Sequence, residues 1–375
     1  METTDVSNVV YEMDCKQILM GRIKKSICFV SPGLSGGGGM ERSLVTLANY
    51  FSKIGYEISI VSLFKSEVYF DVNEKIKIIW PNIERAKHNR IIYSVLIIKY
   101  FRTAIKKVNP DAVISFGEWF NPYVILVTRF LGIRLFVSDR MGPNLSLGFM
   151  LETARKFSYR YANGIIAQTK ASASILSKKT GVKRIKVIPN AVQFIDVEND
   201  IKLNQIVSVG RLSREKGHSI LINAFEGIEN KNWSLHLVGD GPAREDLERE
   251  VKNLKLTDRV IFHGHLKDFK LIIAQSQIFA LPSFYEGFPN ALVEAMSVPL
   301  ACVSSDCVAG PSEIIEDGVN GLLVETKNIR ALTKALNLLI DNSKLRNEIK
   351  ENAYHVRMKY PFENMAKEYL NYVLN

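Results

Sequence analysis

The stretch Ile278-Phe279-Ala280-Leu281-Pro282-Ser283-Phe284-Tyr285-Glu286-Gly287-Phe288-Pro289-Asn290-Ala291-Leu292-Val293-Glu294-Ala295-Met296 reads as three elements in succession. Ile278 to Leu281 is a short apolar run of the kind that forms a buried strand. Pro282, Gly287 and Pro289 then break the chain into a loop. Asn290 is a good N-cap for a helix starting at Ala291. A helix N-terminus offers free amides and partial positive charge, which suits a diphosphate. Glu286 in the loop and Glu294 in the first helical turn or just beyond can both face that anion site, where each carboxylate can accept hydrogen bonds from sugar hydroxyls. A bland reading leaves Glu294 complementing the helix dipole and Glu286 in solvent.

Outward from this stretch the same unit recurs. Further strand-like runs lie at Gln205 to Val209, Ser234 to Val238, Val260 to Phe262, Leu300 to Ser304 and Gly321 to Val324. An earlier set lies at Ser26 to Ser31, Glu57 to Leu63, Asp111 to Ser115, Arg134 to Ser138, Gly164 to Ala167 and Lys186 to Ile188. Helical segments separate most of them, and such alternation implies a parallel sheet covered on both faces. The alternation restarts after the polar stretch Asp196 to Asn204, and 375 residues suit two cores better than one. We expect an N-terminal extension over 1–22, a Rossmann-like domain over 23–195, a second over 196–360, and a C-terminal helix over 361–375 that packs back across the domain junction.

Composition narrows the function. Hydrophobic residues are 47% and charged residues 23% of the chain, which excludes disordered and fibrous classes. The longest apolar stretches are short or broken by Arg129 and Arg134, so no transmembrane helix is expected. Met1 to Met20 lacks the basic flank and apolar region of a secretory signal. Cys15, Cys28, Cys302 and Cys307 show no metal or disulfide spacing, which fits a reduced, cytoplasmic protein. Residues 1–190 hold 28 Lys and Arg against 14 Asp and Glu, whereas 191–375 hold 21 against 25. The cationic half suits phosphate-rich partners or an anionic membrane surface. No recognition motif accompanies the charge, so nucleic acid is not expected. The cationic helix expected over Arg85 to Lys107, with Lys87, Arg90, Lys99, Arg102, Lys106 and Lys107 among Ile and Tyr, is a candidate surface for anionic lipid or lipid diphosphate.

Other loops carry chemistry. Gly210-Arg211-Leu212-Ser213-Arg214-Glu215-Lys216-Gly217 follows the first strand of the second domain. Gly239-Asp240-Gly241-Pro242 and Phe262-His263-Gly264-His265-Leu266 end the next two, and ligands gather at the carboxyl ends of strands in open α/β sheets. In the first domain, Gly36-Gly37-Gly38-Gly39-Met40-Glu41-Arg42 follows the first strand, and its spacing breaks the Gly-x-Gly-x-x-Gly dehydrogenase fingerprint.

These motifs together resemble the retaining glycosyltransferases of family 4. Glu286 to Glu294 looks like the family's Glu-x7-Glu motif, with a Glu-Gly-Phe-Pro-Asn start and a Glu-Ala-Met end. Gly210 to Gly217 looks like its Gly-Arg-x4-Lys-Gly pattern. The resemblance implies the two-domain GT-B fold, α/β with two Rossmann-like parallel sheets facing each other across a cleft. It implies that Arg211 and Lys216 stabilise the departing nucleoside diphosphate electrostatically, that Glu286 holds the sugar, and that Glu294 holds the ribose. Donor contacts are further expected from Gly38, Gly39, Gly210, Gly239, the His265–Leu266 backbone, Gly287, Phe288, Pro289 and Asn290. Ser304 to Ile314 resembles a segment that follows the motif in members building bacterial surface glycans, with a structural role favoured.

Two positions depart from the family pattern. Many members carry an active-site His near the end of the fourth strand, where this chain reads Ser115-Phe116-Gly117-Glu118-Trp119-Phe120-Asn121. Glu118 and Asn121 are the alternatives for its place. Arg140, in Ser138-Asp139-Arg140-Met141-Gly142, resembles an arginine of glycan-building relatives and joins Glu41 as an acceptor-side candidate. No Asp-x-Asp triple or metal-spaced cluster occurs, so no cofactor and a metal-independent transfer are expected. The reading is a hexosyl- or N-acetylhexosaminyltransferase using a nucleotide-sugar, UDP-linked by association, and a lipid-linked glycan acceptor at the cytoplasmic membrane face. The rivals are a sugar-nucleotide epimerase and a non-catalytic sugar-nucleotide-binding subunit.

Overall fold

The computed structural model describes residues 25–35, 38–84, 87–196 and 201–375. The N-terminal extension 1–22, Gly36 and Gly37 of the glycine loop, and Arg85 fall outside these ranges. Two sheets form. The first takes β1 (Ser26–Ser31), β2 (Glu57–Ser62), β3 (Lys77–Ile79), β4 (Ala112–Phe116), β5 (Arg134–Asp139), β6 (Gly164–Ala167) and β7 (Ile185–Val187) in the order β3-β2-β1-β4-β5-β6-β7. The pairings of β1 with β2 and β4, of β2 with β3 and of β4 with β5 are parallel. The second takes β8 (Gln205–Val209), β9 (Ser234–Val238), β10 (Val260–Gly264), β11 (Ile278–Leu281), β12 (Ala301–Ser305) and β13 (Leu322–Val324) in the order β10-β9-β8-β11-β12-β13, parallel throughout.

The strands read as unbroken apolar runs because helices cover both faces: every residue of β4, β11 and β12 is buried. The edge strand β3, only Lys77 to Ile79, has no buried residue and carries too little pattern to be seen in the sequence. Contact density divides the chain into two compact units. One holds the described residues up to Ser138, with Phe157–Ile165 and Leu370–Asn375, and the other holds Asp139–Lys156 and Ile166–Tyr369. The C-terminal helix Phe362–Leu374 is therefore shared between them. In the first unit, Lys25 and Arg134 both donate to the Leu374 carbonyl at 3.2 Å, and Tyr372 meets Phe136 edge-on.

The cationic helix runs over Arg90–Val108 and starts later than the sequence suggests, because Asn89 caps it: its side chain accepts from the Ile92 amide at 2.9 Å. Asn109, at φ 47°, ends it in the left-handed conformation. Lys99, Arg102, Lys106 and Lys107 are exposed along it. Among the described residues no helix is long and apolar enough to cross a membrane.

In the second unit, β8, β9 and β11 pack Ile206, Leu235, Leu237 and Ile278 against Leu221, Ile222 and Phe225 of the helix His218–Glu226, with Leu332, Leu336 and Leu339 of Ile329–Asp341 joining the same cluster. Phe225 is fully buried at its centre. We expect Phe225→Ala to destabilise this unit by about 3–5 kcal/mol, the usual range for emptying a buried aromatic site. Urea unfolding followed by circular dichroism should show a lower midpoint with an unchanged slope.

Candidate functional site

The carboxyl ends of β8, β9 and β11 are joined by backbone contacts that only glycine permits. A Cβ on Gly239 (φ +141°) would lie 1.9 Å from the Gly210 carbonyl oxygen, and one on Gly241 would lie 2.4 Å from that of Leu212. Gly217 (φ +68°) presses on Pro282, where a Cβ would sit 2.1 Å from the carbonyl oxygen. Hydrogen bonds follow the same seams: Gly239 N–H to Gly264 O at 2.9 Å, Leu212 N–H to Asp240 O at 3.0 Å, and Phe284 N–H to Glu215 O at 2.8 Å. The loops after β9 and β10, expected to flank one crevice, meet at the Gly239–Gly264 hydrogen bond.

Within this frame the Lys216 stem packs across Gly210, with Cδ 3.8 Å from where a Cβ would be. Its ammonium donates to Glu286 Oε1 at 2.7 Å. The Glu286 side chain is only 8% exposed and that of Lys216 27%, so the pair is largely withdrawn from water. Residues 70 positions apart in sequence are thus brought into one charged couple. Arg211, the second expected cation, is exposed beside the loop and outside this pair. Burial pushes the Glu215 carboxyl up, but the Ser213 hydroxyl, its own backbone amide and the Lys216 and Arg211 charges outweigh it and hold the group below its ordinary value. This loop is built to favour negative charge.

The helix after the Glu286 loop runs Asn290–Met296. Asn290 is not its cap. It is the first helical residue, Pro289 precedes it, and its side-chain oxygen instead accepts from Asn190 at 2.7 Å. Glu294 is 3% exposed in the middle of this helix. Gly287 lies against the Arg140 backbone, where a Cβ would fall 1.9 Å from the carbonyl oxygen. Arg140 therefore belongs to the same unit as the Glu-x7-Glu loop, and its guanidinium donates to the Tyr369 hydroxyl at 2.9 Å. Phe288 packs edge-on against Tyr360, and Pro289 against Gly310. The segment Ser304 to Ile314 has a structural task as well: Glu313 accepts the amides of Lys170 and Ala171, each at 2.9 Å, at the start of the helix Lys170–Thr180.

His265 is exposed and Leu266 partly so, just beyond Gly264 (φ +68°) at the end of β10. His263 turns to the sheet edge, where its ring pairs with His236 at 2.9 Å. Burial, then the neighbouring His263, pushes His236 down to about 4.

Two residues of the site went unread in the sequence. His218 follows Gly217, is 3% exposed, and its Nδ1 has no hydrogen-bond partner among the described residues. Burial, reinforced by the Lys216 charge, pushes it down to about 4, so it is neutral at pH 7. Cys307 is buried within electrostatic range of Glu286 and Lys216, and burial raises its thiol to about 12. Neither residue carries a spacing signal that sequence reasoning could use.

In the first unit, Gly38 adopts an extended conformation ahead of the helix Gly39–Lys53, and Glu41 lies in its first turn. The Glu41 carboxylate folds back to within 2.9 Å of where a Gly38 Cβ would stand. Glu118 is 3% exposed. Asn121 is fully buried and committed to the scaffold, accepting from Ser115 Oγ at 2.7 Å and donating to the Tyr159 hydroxyl at 3.1 Å. Of the two alternatives for the missing His, both are buried, and Asn121 has each end of its side chain engaged by a hydroxyl.

Two outcomes follow. Lys216→Met should strand the buried Glu286 carboxylate and cost about 1–3 kcal/mol, whereas Lys216→Met with Glu286→Gln should recover most of it; an additive double variant in urea unfolding would refute the coupling. The depressed histidines make stability pH-dependent. Below 6.5, unfolded His218 and His236 take up protons that the folded residues refuse until about pH 4. Stability from this source is complete above pH 6.5 and falls as pH drops toward 4. The Tm of a His218→Asn/His236→Asn variant should decline less over that window than that of the wild type.

Family models match both halves of the chain. Residues 192–356 match the glycosyl transferases group 1 model and residues 37–194 match glycosyltransferase family 4. The amylovoran biosynthesis glycosyltransferase AmsD of Erwinia amylovora is 26% identical over 92% of this chain and 97% of its own. An N-acetyl-D-galactosaminyltransferase of Campylobacter jejuni, named for an acceptor on diphospho-undecaprenol, is 26% identical over 92% and 98%. Anabaena HepE, solved with UDP and glucose, superposes with a TM-score of 0.76 at 18% identity over 92% of this chain and 98% of its own. Staphylococcus aureus TarM superposes at 0.79 with 15% identity over 93% and 99%. The chain has the GT-B fold and belongs to the group 1 glycosyltransferases of family 4.

Proposed function

We propose that this glycosyltransferase moves a hexose or N-acetylhexosamine from a UDP-sugar to a glycan acceptor carried on a lipid diphosphate, in the assembly of a bacterial surface polysaccharide or oligosaccharide. The observation that carries the reading is the Lys216–Glu286 couple at the head of β8 and β11. Donor recognition needs a cation for the diphosphate and a carboxylate for the sugar hydroxyls, and the couple holds one of each side by side. On donor binding Lys216 turns to the diphosphate, joined by Arg211, and the released Glu286 carboxylate accepts from the sugar. Glu294 takes the ribose. These cations stand in for a metal as charge builds on the leaving group. The acceptor hydroxyl attacks on the face the diphosphate leaves, a donor phosphate oxygen takes its proton, and configuration is retained without a protein nucleophile.

Relatives named for amylovoran, lipopolysaccharide and diphospho-undecaprenol substrates support the acceptor class, and neighbours solved with UDP support the donor. The exposed lysines of Arg90–Val108 support peripheral association with an anionic membrane at its cytoplasmic face.

The test is a panel of UDP- and GDP-sugars screened by thermal shift, with hits assayed for nucleoside diphosphate release with and without EDTA and a polyprenyl-diphosphate glycan. We expect EDTA-resistant UDP release that requires the acceptor, lowered about 10²–10³-fold in kcat by Lys216→Ala. Stabilisation by a UDP-sugar with no turnover on any acceptor would favour a binding subunit instead.

A further inference from the structure

The first unit contains a cavity of about 420 Å³ that the reaction described above does not use. Its walls come from Leu63 and Phe64 just after β2, Ile97 and Phe101 of the helix Arg90–Val108, and Phe120 and Val127 after β4. The volume lies within the roughly 300–1,000 Å³ of small-molecule sites. Its position is that of a ligand site too. The strand order runs β2-β1-β4, so the chain reverses direction across the sheet beside β1, and ligands of open α/β sheets collect outside the carboxyl ends of the strands at such a point.

The space is held rather than incidental. Tyr100 anchors the helix by donating to the carbonyls of Ser62 at 3.1 Å and Ile79 at 2.9 Å. Arg102 ties it to the opposite wall by donating to Val127 O at 2.6 Å. Phe64 and Phe120 meet edge-on with centroids 5.6 Å apart. The lining is mainly aliphatic and aromatic, yet exposed cations adjoin lining residues along the chain: Lys65 beside Phe64 and Lys99 beside Ile98, while Lys87, beside His88, is paired with Glu84 at 2.9 Å. An apolar hollow with adjoining cations matches a molecule with an alkyl chain and an anionic head.

We propose that this cavity receives the isoprenoid segment next to the diphosphate of the lipid-linked acceptor, so that the enzyme reads the lipid as well as the glycan. This rests on the lipid-linked acceptor of the preceding section. Specificity then comes partly from chain burial, which acts on acceptor affinity and leaves the chemical step unchanged.

Acceptors bearing one glycan diphosphate on methyl, geranyl or farnesyl chains test it. KM should fall at least about tenfold from methyl to farnesyl at constant kcat, a ratio that two buried methylenes suffice to give. Ile97→Glu, and Ser94→Trp from an exposed lining position, should each abolish the chain-length effect and leave turnover of the methyl acceptor unchanged. Equal KM for all three chains, or variants that keep the dependence, would overturn the proposal. Calorimetric titration of farnesyl diphosphate without donor, against inorganic diphosphate, separates this from the transferase reading. Saturable binding by the wild type and not by the variants supports the cavity, and equal binding by all three proteins overturns it. Saturable binding with no turnover of any donor and acceptor pair would sink the transferase assignment alone.

Discussion

Three glycine contacts, Gly239 on Gly210, Gly241 on Leu212 and Gly217 on Pro282, bring the loops beyond β8, β9 and β11 to backbone separation. Interiors are packed too tightly to absorb an added methyl group at such distances. The Lys216–Glu286 couple depends on this approach: the lysine crosses Gly210 to reach a carboxylate on a different loop. The electrostatics follow from the same closeness. Glu215 stays acidic beside two cations, and His218 is kept neutral beneath Lys216 by burial.

Much of the fold was legible because a strand buried on both faces must be apolar along its whole length. β11, apolar and buried at every residue, has the same limits in sequence and structure for that reason. β3 was not, since three residues at an edge with none buried leave no pattern. Helix starts were harder. Asn290 has the right residue type for a cap, but Asn190 captures its side chain across 100 positions, and no local rule foresees that competitor. Asn89 shows the converse, an ordinary local cap that sets the start of the cationic helix five residues later than charge alone suggested.

The same division runs through the site. Lys216 and Glu286 are singled out by their motifs, and loop geometry brings the two together. The surroundings of Asn121 were not legible because polarity says nothing about burial, and the Ser115 and Tyr159 hydroxyls that engage it are 6 and 38 positions away. Cys307 and His218 are lone residues whose meaning comes only from what lies beside them in three dimensions.

Cys28, Cys302 and Cys307 are all buried, and burial raises each thiol well above its ordinary range. Only the thiolate is a good nucleophile. In the folded enzyme these sulfurs are chemically silent, and electrophiles that label surface thiols will pass them by. They awaken together on unfolding, so maleimide uptake becomes a clock for global opening, with Cys28 reporting one sheet and Cys302 the other.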